Sequence, residues 1–329
     1  MKIYRSRAPL RISFAGGGTD FPHWFNHHPG AALSATIRRY ARASLTPCPR
    51  VDNGEVFARD GYPGLANGVW ETMRSQVREA CGSTILETQC DVAPRSGLGG
   101  SSTVVVATLA TMLAATGDRV NDYQVAERAI LVERNVLRIT GGLQDQFSAV
   151  FGGFNVIEFL SSGVLLNRLE VPQGVVWDLE EHLILCRVGG ERPAVDLLAK
   201  QVNRFSQATD EVLPAMHAIH GLVYEMKRAL LTWRLDDFAS MLHQGFVEKK
   251  RMNPWITEGT KADELYELAR ANGALGGKLL GAGGSGYLLL YCPVSQQLAM
   301  REKLEKAGGR CERVIFEPLG LKVWESEIE

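Results

Sequence analysis

A chain of 329 residues, 45 % hydrophobic and 22 % charged, is long enough to bury a sizeable core, and its length favours two domains. Its net charge of −1, without a long basic or acidic block, argues against nucleic-acid binding through bulk charge, although a local basic cleft stays open as an alternative. No apolar run approaches the roughly 20 residues of a membrane span. The basic start of the chain leads into a strand pattern without the apolar core of a signal peptide, so we expect a cytoplasmic protein.

Neither the cysteines nor the histidines predict a metal site. The six cysteines are scattered and include no Cys-x-x-Cys pair, so we expect no zinc and no disulfide framework, and a reducing cytoplasm is the simplest setting. His23, His27 and His28 are close in sequence but lack carboxylates at metal-ligand spacing, which favours a solvated loop. The cysteines are Cys48, Cys81, Cys90, Cys186, Cys292 and Cys311.

The first half of the chain alternates extended and helical patterns. Apolar positions predict a strand over residues 2–15, which ends at the run Gly16-Gly17-Gly18. Residues 30–37 and 41–45 are predicted to form two paired strands. The remaining predicted elements are helices over 68–81, 101–115 and 123–139 and strands over 85–92 and 154–159.

The second half is mainly helical by its pattern. A short apolar strand is predicted over 183–188, and a long helical stretch over 194–250 is interrupted near Pro214 and again near Leu235. The later predicted elements are helices over 261–272 and 296–307 and strands over 287–291 and 313–316. Strand runs mixed with helical pairs predict an α+β protein, which we divide into domains 1–170 and 171–329.

The most informative stretch is a glycine-rich loop that leads into an apolar helix, Pro94-Arg95-Ser96-Gly97-Leu98-Gly99-Gly100-Ser101-Ser102. Glycine has no Cβ, so such a loop turns tightly and lets a bulky anion approach its backbone. Serine favours the N-cap of a helix, where free N–H groups and the positive end of the dipole face the loop. The pattern is typical of a phosphate site, but a glycine turn that only starts a buried helix would give the same residues.

Two common phosphate loops do not fit this stretch. A P-loop requires a lysine after its second glycine, and no lysine lies between Pro94 and Thr103. The dinucleotide-binding motif requires a third glycine that residues 97–102 lack at the required spacing.

Two further glycine loops accompany the first, each next to a predicted strand. One is Gly16-Gly17-Gly18-Thr19-Asp20, which follows Ala8-Pro9-Leu10-Arg11-Ile12, and the other is Lys278-Leu279-Leu280-Gly281-Ala282-Gly283-Gly284-Ser285-Gly286. In order and spacing, the three loops resemble the N-terminal motif, the phosphate loop and the C-terminal motif of the GHMP kinase superfamily. The resemblance covers nearly the whole chain. It implies two α+β domains with ATP and substrate in the cleft between them.

Within the superfamily, residues 9–20 and Gly142-Leu143-Gln144-Asp145-Gln146 are most similar to the sugar-1-kinases that act on D-glycero-D-manno-heptose 7-phosphate. Residues 273–278 and 316–321 favour the same branch. The implied reaction is ATP-dependent phosphorylation of the anomeric hydroxyl, which gives heptose 1,7-bisphosphate. Motifs alone do not define a substrate pocket. A fucokinase-like or other free-sugar kinase, and a non-catalytic ligand-binding homologue, therefore stay open.

The resemblance also implies how ATP and Mg²⁺ are held. The expected phosphate-binding set is Arg95, Ser96, Gly97, Leu98, Gly99, Gly100, Ser101 and Ser102. Ser101 is the expected hydroxyl ligand of Mg²⁺, with Ser102 as the fallback, and Glu133 is the expected carboxylate ligand. Without the family, the serines are explained by N-capping, and Glu133 beside Arg134 by a solvated surface pair.

Two residues are expected to carry the chemistry. Asp145 matches the family's catalytic aspartate and would accept or orient the proton of the attacking sugar hydroxyl. Arg11 takes the place of the family's cation near the nucleophile, where it would stabilise transferred charge. The plainer alternatives are a turn aspartate that caps the following residues and an arginine that only anchors Asp145.

The remaining expected contacts are with the substrate. Thr19 and Asp20 are placed to bind sugar hydroxyls, although Asp20 is also a good N-cap for residues 21–25. A heptose 7-phosphate also needs cations, for which the triplet Lys249-Lys250-Arg251 is a candidate, although compensation of a helix dipole explains it equally. The expected substrate-binding set is Gly17, Gly18, Thr19, Asp20, Lys278, Gly281, Gly283 and Gly284.

Overall fold

Two β-sheets, one of seven strands and one of four, organise the part of the chain that the structure describes. This computed structural model describes residues 2–49, 55–58, 61–188, 211–257, 260–281, 283 and 286–327. The strands of the larger sheet are β1 (Lys2–Ala15), β2 (Gly30–Pro47), β3 (Glu55–Ala58), β4 (Thr84–Cys90), β5 (Phe154–Leu160), β6 (Gly163–Leu169) and β11 (Lys322–Glu327). Those of the smaller sheet are β7 (Leu183–Val188), β8 (Gly276–Leu279), β9 (Gly286–Tyr291) and β10 (Arg310–Arg313).

Strand β1 lies inside the larger sheet, between β2 and β11, and is antiparallel to both. The register between β1 and β2 shifts at Pro9/Leu10 and again at Ser13/Ala15. Such bulges bend a strand and redirect its side chains, and they recur next to active sites. The segment between the two shifts carries Arg11, which therefore sits on a locally distorted part of the strand.

The prediction of two paired strands over 30–37 and 41–45 is wrong. Both segments belong to the single strand β2, and both pair with β1, as Ile37 does with Leu10 and Ala41 with Ala8. The polar residues between them, Arg38-Arg39-Tyr40, interrupt the apolar pattern but include no turn-forming Gly, Pro, Asn or Asp. The chain therefore stays extended, and β2 pairs first with β5 and then with β4.

Every helix predicted within the described residues is present with shifted ends, and further helices occur as well. The helices are α1 (Pro22–Phe25), α2 (Pro63–Cys81), α3 (Gly100–Thr116), α4 (Asp122–Leu131), α5 (Gln144–Phe151), α6 (Gln173–His182), α7 (Val212–Leu231), α8 (Leu235–Met252), α9 (Ala262–Ala271) and α10 (Val294–Lys306). Pro214 lies inside the first turn of α7, where a proline costs no helical hydrogen bond. The predicted break near Leu235 is confirmed, and residues 194–210 lie outside the described residues.

Several elements are not predicted by the pattern. Helices α5 and α6 and strands β3, β6, β8 and β11 are too short or too polar for a clear period. The last predicted strand, 313–316, is also displaced: β10 ends at Arg313, and β11 follows further on. Lys278 belongs to strand β8 instead of to a loop.

Two layers of core packing position the glycine loops. Helix α3 is apolar on all sides and is buried among α2, α4 and the larger sheet, which fixes its N-terminal end at the phosphate loop. A second core lies between the two sheets, where the ring of Phe14 on β1 contacts those of Phe238 on α8, Phe154 and Phe316. This core joins the two halves of the chain directly behind the β1 segment that carries Arg11.

The boundary between residues 170 and 171 stays a proposal. Apart from β11, the strands of the larger sheet precede it and those of the smaller sheet follow it. The exception is β11, which returns to pair with β1. Among the described residues, no helix is both long and apolar enough to cross a membrane.

Candidate active site

The three glycine loops line one cavity, and the phosphate loop and the C-terminal loop meet through their backbones. A Cβ on Gly97, at φ +80°, would lie 2.6 Å from the carbonyl oxygen of Leu280, and one on Gly281, at φ +72°, would lie 2.5 Å from the Cα of Gly97. A Cβ on Gly286 would lie 2.5 Å from the carbonyl oxygen of Ser96. The C-terminal loop therefore rests directly on the phosphate loop, a contact that only glycines allow.

Most of the predicted site residues line this cavity. They are Arg11, Gly17, Gly18, Asp20, Arg95, Ser96, Gly97, Gly99, Gly100, Ser101, Ser102, Glu133, Asp145, Lys278, Gly281 and Gly283. Thr19 and Leu98 do not line it, and Gly284 lies outside the described residues. The ligand roles of the lining residues stay predictions.

The phosphate loop ends at the N-terminus of helix α3. Gly99 is the N-cap residue in a left-handed conformation, and its carbonyl accepts the first helical bond, from the N–H of Thr103 at 3.0 Å. The N–H groups of Gly100, Ser101 and Ser102 precede Thr103 and therefore have no acceptor within the helix. They lie at the positive end of the helix dipole. All three residues line the cavity, so the geometry suits an anion.

Arg11 and Asp145 form an ion pair on the floor of the cavity. The Nε and Nη2 atoms of Arg11 lie 2.8 and 2.6 Å from the same oxygen, Oδ1 of Asp145. The side chain of Arg11 is buried, whereas that of Asp145 is 23 % exposed. Among the described residues, no group donates a hydrogen bond to Oδ2 of Asp145, so this oxygen is available to a ligand.

Arg11 also ties strand β1 to the phosphate loop. Its Nη1 donates to the carbonyl oxygen of Gly97 at 2.7 Å, and its backbone N–H donates to that of Leu98 at 3.1 Å. Arg11 therefore anchors Asp145, as the plainer alternative to a role in charge stabilisation predicts. Because Arg11 also bonds Gly97, it fixes the carboxylate of Asp145 relative to the phosphate loop. The side chain of Leu98 is fully buried in the core between the sheets. The contact expected of Leu98 with the ATP phosphates is through its backbone N–H, and it stays a prediction.

Glu133 lies in a single π-helical turn, Val132–Val136, that follows α4. Its side chain is 2 % exposed, and its Oε2 accepts from Arg134 Nη1 at 3.0 Å and from Gln146 Nε2 at 2.9 Å. Burial raises the pKa of Glu133 although Arg134 opposes the shift. The alternative of a solvated surface pair is therefore wrong. The buried Glu133 lies in this π turn, and single π turns are frequent at functional sites.

The second oxygen of Glu133, Oε1, is buried and has no partner among the described residues. Ser102 is linked to the same carboxylate through Gln146, whose Nε2 donates to the hydroxyl of Ser102 at 3.2 Å and to Oε2 of Glu133, and Ser102 lowers the pKa of Glu133. An unpaired carboxylate oxygen next to a hydroxyl fits Mg²⁺, which prefers oxygen ligands. The geometry favours Ser102, the fallback, over Ser101 as the hydroxyl near Glu133.

Asp20 is buried at the N-terminal glycine loop. Its Oδ1 accepts from the N–H of Gly18 at 3.0 Å and its Oδ2 from Gln144 Nε2 at 2.8 Å. Burial raises its pKa, and these two bonds oppose the shift. Helix α1 has no side-chain cap, so the N-cap alternative is wrong. A Cβ on Gly142 would lie 1.8 Å from Oδ2, so the glycine there makes room for the carboxylate.

Thr19 stabilises the loop and is not placed to grip sugar hydroxyls. Its hydroxyl lies 2.8 Å from the carbonyl oxygens of Gly16 and Ala31 and accepts from the N–H of Ala31 at 3.1 Å. With its side chain fully buried by these contacts, the predicted contact with substrate is withdrawn.

Of the basic triplet at the end of α8, Lys249 alone lines the cavity. Its ammonium donates to the carbonyl oxygen of Gly281. Lys250 pairs with Asp263, and Arg251 pairs with Glu248 at 2.9 Å on the exposed side of the helix. The triplet therefore separates into one buried cation and two surface pairs.

Three polar residues of the site escape the sequence analysis. Gln144 and Gln146 flank Asp145 and hold Asp20 and Glu133, one on each side. Their only signal in the sequence is the polar run around Asp145 inside an otherwise apolar helix. Ser13 also lines the cavity, two residues from Arg11 on the same face of β1, and its buried hydroxyl has no partner in the described structure.

The histidines near residue 25 pack against aromatic rings. Trp24 lies 4.5 Å from His28 and 5.1 Å from His217, measured between ring centroids, and burial lowers the pKa of His23. The expectation of a solvated loop therefore holds only for His27, which is exposed. In the part of the chain that the structure describes, no three His, Cys, Asp or Glu side chains are arranged to hold a metal ion.

Comparison with known proteins points to one family. The sequence profile of the GHMP kinases N terminal domain matches residues 65–153. The D-glycero-alpha-D-manno-heptose 7-phosphate kinase of Campylobacter jejuni is 30 % identical over 98 % of this chain and 99 % of its own length. A bifunctional fucokinase/GDP-fucose pyrophosphorylase of Arabidopsis thaliana is 24 % identical over 91 % of this chain and 31 % of its own length.

Solved structures agree with this result. The crystal structure of a D-glycero-D-manno-heptose 1-phosphate kinase from Bacteroides thetaiotaomicron has a TM-score of 0.80 at 27 % identity and covers 99 % of both chains. The mevalonate kinase of L. major, crystallised with R-mevalonate, has a TM-score of 0.71 at 18 % identity over 96 % of both chains, which is a likeness of fold alone.

Proposed function

This chain belongs to the GHMP kinase family of ATP-dependent phosphotransferases that act on alcohol groups, and we propose that it phosphorylates the anomeric hydroxyl of D-glycero-D-manno-heptose 7-phosphate. Its relatives include sugar and sugar-phosphate kinases as well as mevalonate kinases. The product would be heptose 1,7-bisphosphate, an intermediate for an activated heptose. The similarity to the Campylobacter jejuni enzyme over nearly the full length of both chains supports this substrate. A cytoplasmic location is part of the proposal, since the six free thiols suit a reducing compartment.

The observation that carries the proposal is the unpaired oxygen of Asp145. Phosphoryl transfer mainly requires an oriented nucleophile and neutralised charge. Arg11 occupies Oδ1 and keeps the carboxylate oriented, so Oδ2 is left to accept a hydrogen bond from the sugar hydroxyl. In this role Asp145 orients the hydroxyl and receives its proton as the bond to phosphorus forms.

The phosphate loop would hold the ATP phosphates beside this carboxylate. The amides at the start of α3 and the side chain of Arg95 supply donors and positive charge for the triphosphate. Arg11 holds the loop through the carbonyl oxygen of Gly97, so the nucleophile and the phosphates keep a fixed spacing. Such positioning supplies a large part of the rate enhancement in reactions of this class.

Glu133 and Ser102 would hold Mg²⁺, with Ser101 as the alternative hydroxyl. A single carboxylate suffices because Mg²⁺ in kinases takes its other ligands from phosphates and water. When bound, the ion would neutralise charge on the phosphate oxygens. Gln146 would keep both protein ligands in place, since it donates to each of them.

The substrate is tested with a panel of sugars and ATP. We expect turnover with D-glycero-D-manno-heptose 7-phosphate and much slower turnover with free heptose, fucose and galactose. Product analysis by ³¹P NMR should place the new phosphate on the anomeric oxygen. Transfer to fucose or another free hexose, with none to a heptose phosphate, would move the enzyme to the fucokinase-like alternative.

Asp145→Asn tests the chemistry. The amide keeps the shape of the side chain but accepts protons poorly, so kcat should fall about 10²- to 10⁴-fold while the Kd for ATP stays nearly unchanged. Asp118→Asn is the matched control, because Asp118 is exposed and pairs only loosely with Arg128, at 3.6 Å. Unchanged turnover in Asp145→Asn would remove Asp145 from its assigned role.

A further inference from the structure

Two buried lysines in the cavity have no carboxylate partner within hydrogen-bond distance among the described residues. Lys249 on α8 is 7 % exposed and Lys278 on β8 is 5 % exposed. Each donates to one backbone carbonyl, Lys249 to that of Gly281 and Lys278 to that of Phe14 at 3.0 Å. An ammonium group has three donors, so two remain on each lysine for a ligand.

The charge around the two lysines is not balanced by the protein. Arg11 lies near both, but its charge is compensated by Asp145. Asp20 is the carboxylate that attracts the lysines, and it is already bound by Gly18 and Gln144. Burial lowers the pKa of Lys249 to about 8, and burial together with the neighbouring cations lowers that of Lys278. Buried charges are normally paired with an opposite charge, so the two lysines lack an anionic partner.

The same contacts locate the lysines beside the predicted sugar site. A Cβ on Gly17 would lie 4.0 Å from the Nζ of Lys249, and Lys278 is held by the carbonyl of Phe14 at the end of β1. Ser13, the preceding residue, lines the cavity with a buried hydroxyl that has no partner in the described structure. Two ammonium groups and one hydroxyl therefore face the N-terminal glycine loop with unused hydrogen-bonding capacity.

We propose that Lys249, Lys278 and Ser13 form a subsite for the phosphate group that the sugar substrate already carries, and that this subsite selects sugar phosphates over free sugars. The inference rests on the proposed function, since it names the part of the substrate that the same cavity recognises. A terminal phosphate has three acceptor oxygens and up to two negative charges, which match the donors and charges of these side chains. This phosphate is only bound, and none of its bonds changes.

The test compares binding of one sugar with and without its phosphate. Heptose 7-phosphate and free heptose are titrated calorimetrically, in the presence of a non-hydrolysable ATP analogue, into the wild-type protein and into Lys249→Met. Wild type should prefer the phosphate by at least about 100-fold. The variant should lose about 10- to 100-fold in affinity for heptose 7-phosphate and less than about threefold for heptose, since a hydrogen bond to a charged group is lost only in the first case.

Three further variants make the test specific. Arg251→Met removes a cation from the exposed side of the same helix and should leave both affinities unchanged. Lys249→Arg keeps the charge and should retain most of the preference. Ser13→Ala removes only a hydroxyl, should cost the phosphate ligand several-fold, and keeps the proposal testable if Lys249→Met does not fold.

The outcomes separate the subsite from the proposed function. If Lys249→Met weakens both sugars equally, or raises the Kd for the ATP analogue by the same factor, the subsite is refuted and the heptose assignment is untouched. If the wild type phosphorylates a different phosphate-bearing sugar and Lys249→Met shows the selective loss, the heptose assignment fails and the subsite stands. Binding and turnover of free sugars alone would refute both.

Discussion

The carboxylate of Asp145 divides its two oxygens between the protein and the substrate. Oδ1 receives both contacts from Arg11, and Oδ2 is left for a ligand. A guanidinium that bonds one oxygen fixes the orientation of the whole planar group, so the free oxygen has a defined direction. Positioning by Arg11 and acceptance of the hydroxyl by Asp145 are therefore separate tasks of one ion pair.

The lowered pKa of Lys249 predicts how substrate binding depends on pH. Lys249 is charged below about pH 8 and neutral above it. The KM for heptose 7-phosphate should therefore stay flat up to about pH 7.5 and rise about tenfold by about pH 9, where only about one-tenth of the lysine is charged. The measurement is a pH profile of KM for heptose 7-phosphate, with the KM for ATP recorded in parallel.

Lys249→Arg is the control for this profile, because arginine stays charged throughout the range. The variant should lose the rise that begins near pH 8. The other charged groups that face Lys249 are Asp20, Arg11 and Lys278. An unchanged rise in Lys249→Arg would assign the titration to Asp20 or Lys278, because arginine does not lose its proton in this range.

At the scale of elements, the contact between the phosphate loop and the C-terminal loop depends on glycine. Gly97→Ala places a Cβ 2.6 Å from the carbonyl oxygen of Leu280, in a left-handed conformation that already disfavours alanine. We expect the phosphate loop to shift and the KM for ATP to rise at least about tenfold, since loop amides that move by about 1 Å lose much of their effect. Steady-state kinetics with varied ATP measure this.

Gly117→Ala is a control for the backbone strain. Gly117 has a similar φ of +73° in the left-handed conformation, but nothing lies within 4 Å of its Cβ position. Both variants should lose about 1 kcal/mol of stability from the left-handed conformation, as measured by urea unfolding. Gly117→Ala should keep the KM for ATP, and an equal change of KM in both variants would contradict the role given to the loop contact.

The sequence predicts the elements that carry strong periodicity or glycine runs. Helix α3 and the first two glycine loops are in the predicted positions because an all-apolar helix has to be buried and glycine runs have to turn. The third glycine run differs, since its residues 276–279 form strand β8. The sequence does not predict the π turn that carries Glu133, since such a turn leaves no mark on a 3.6-residue period. The roles of Gln144 and Gln146 could not be recognised either, because their contacts with Asp20 and Glu133 depend on the packing of segments distant in the sequence.

At the scale of the whole molecule, the ligand assignment that failed is one that needed the direction of a side chain. Thr19 lies in a motif that reaches the cavity, but its hydroxyl bonds the backbone instead of facing the cavity. A motif fixes which stretch of chain approaches the ligand, whereas long-range packing fixes which side chains face it. Packing likewise directs Lys249 into the cavity and leaves Lys250 and Arg251 in surface ion pairs.

The return of β11 to the larger sheet predicts the effect of a truncation. Ending the chain after Leu321 removes the partner of residues 2–7 and exposes one edge of β1. We expect the melting temperature to fall by about 5 °C or more and the variant to aggregate more readily, because an open edge pairs with other chains. Thermal unfolding and light scattering measure the two effects.

Glu325→Ala is the comparison for this truncation. It breaks the exposed ion pair with Lys2 but keeps the backbone pairing, so its cost should stay below about 1 kcal/mol. If both variants melt at the same temperature, the ion pair and not the strand would be the source of stability.

The pairing of β11 with β1 also has a consequence for synthesis. Lys2 lies opposite Glu327, so the strand that bears Arg11 is translated long before β11, one of its two neighbours in the sheet. Contacts so distant along the chain close slowly. The nascent polypeptide therefore carries an incomplete sheet until translation of β11, and during this interval a chaperone that shields β1 would improve the yield of folded enzyme.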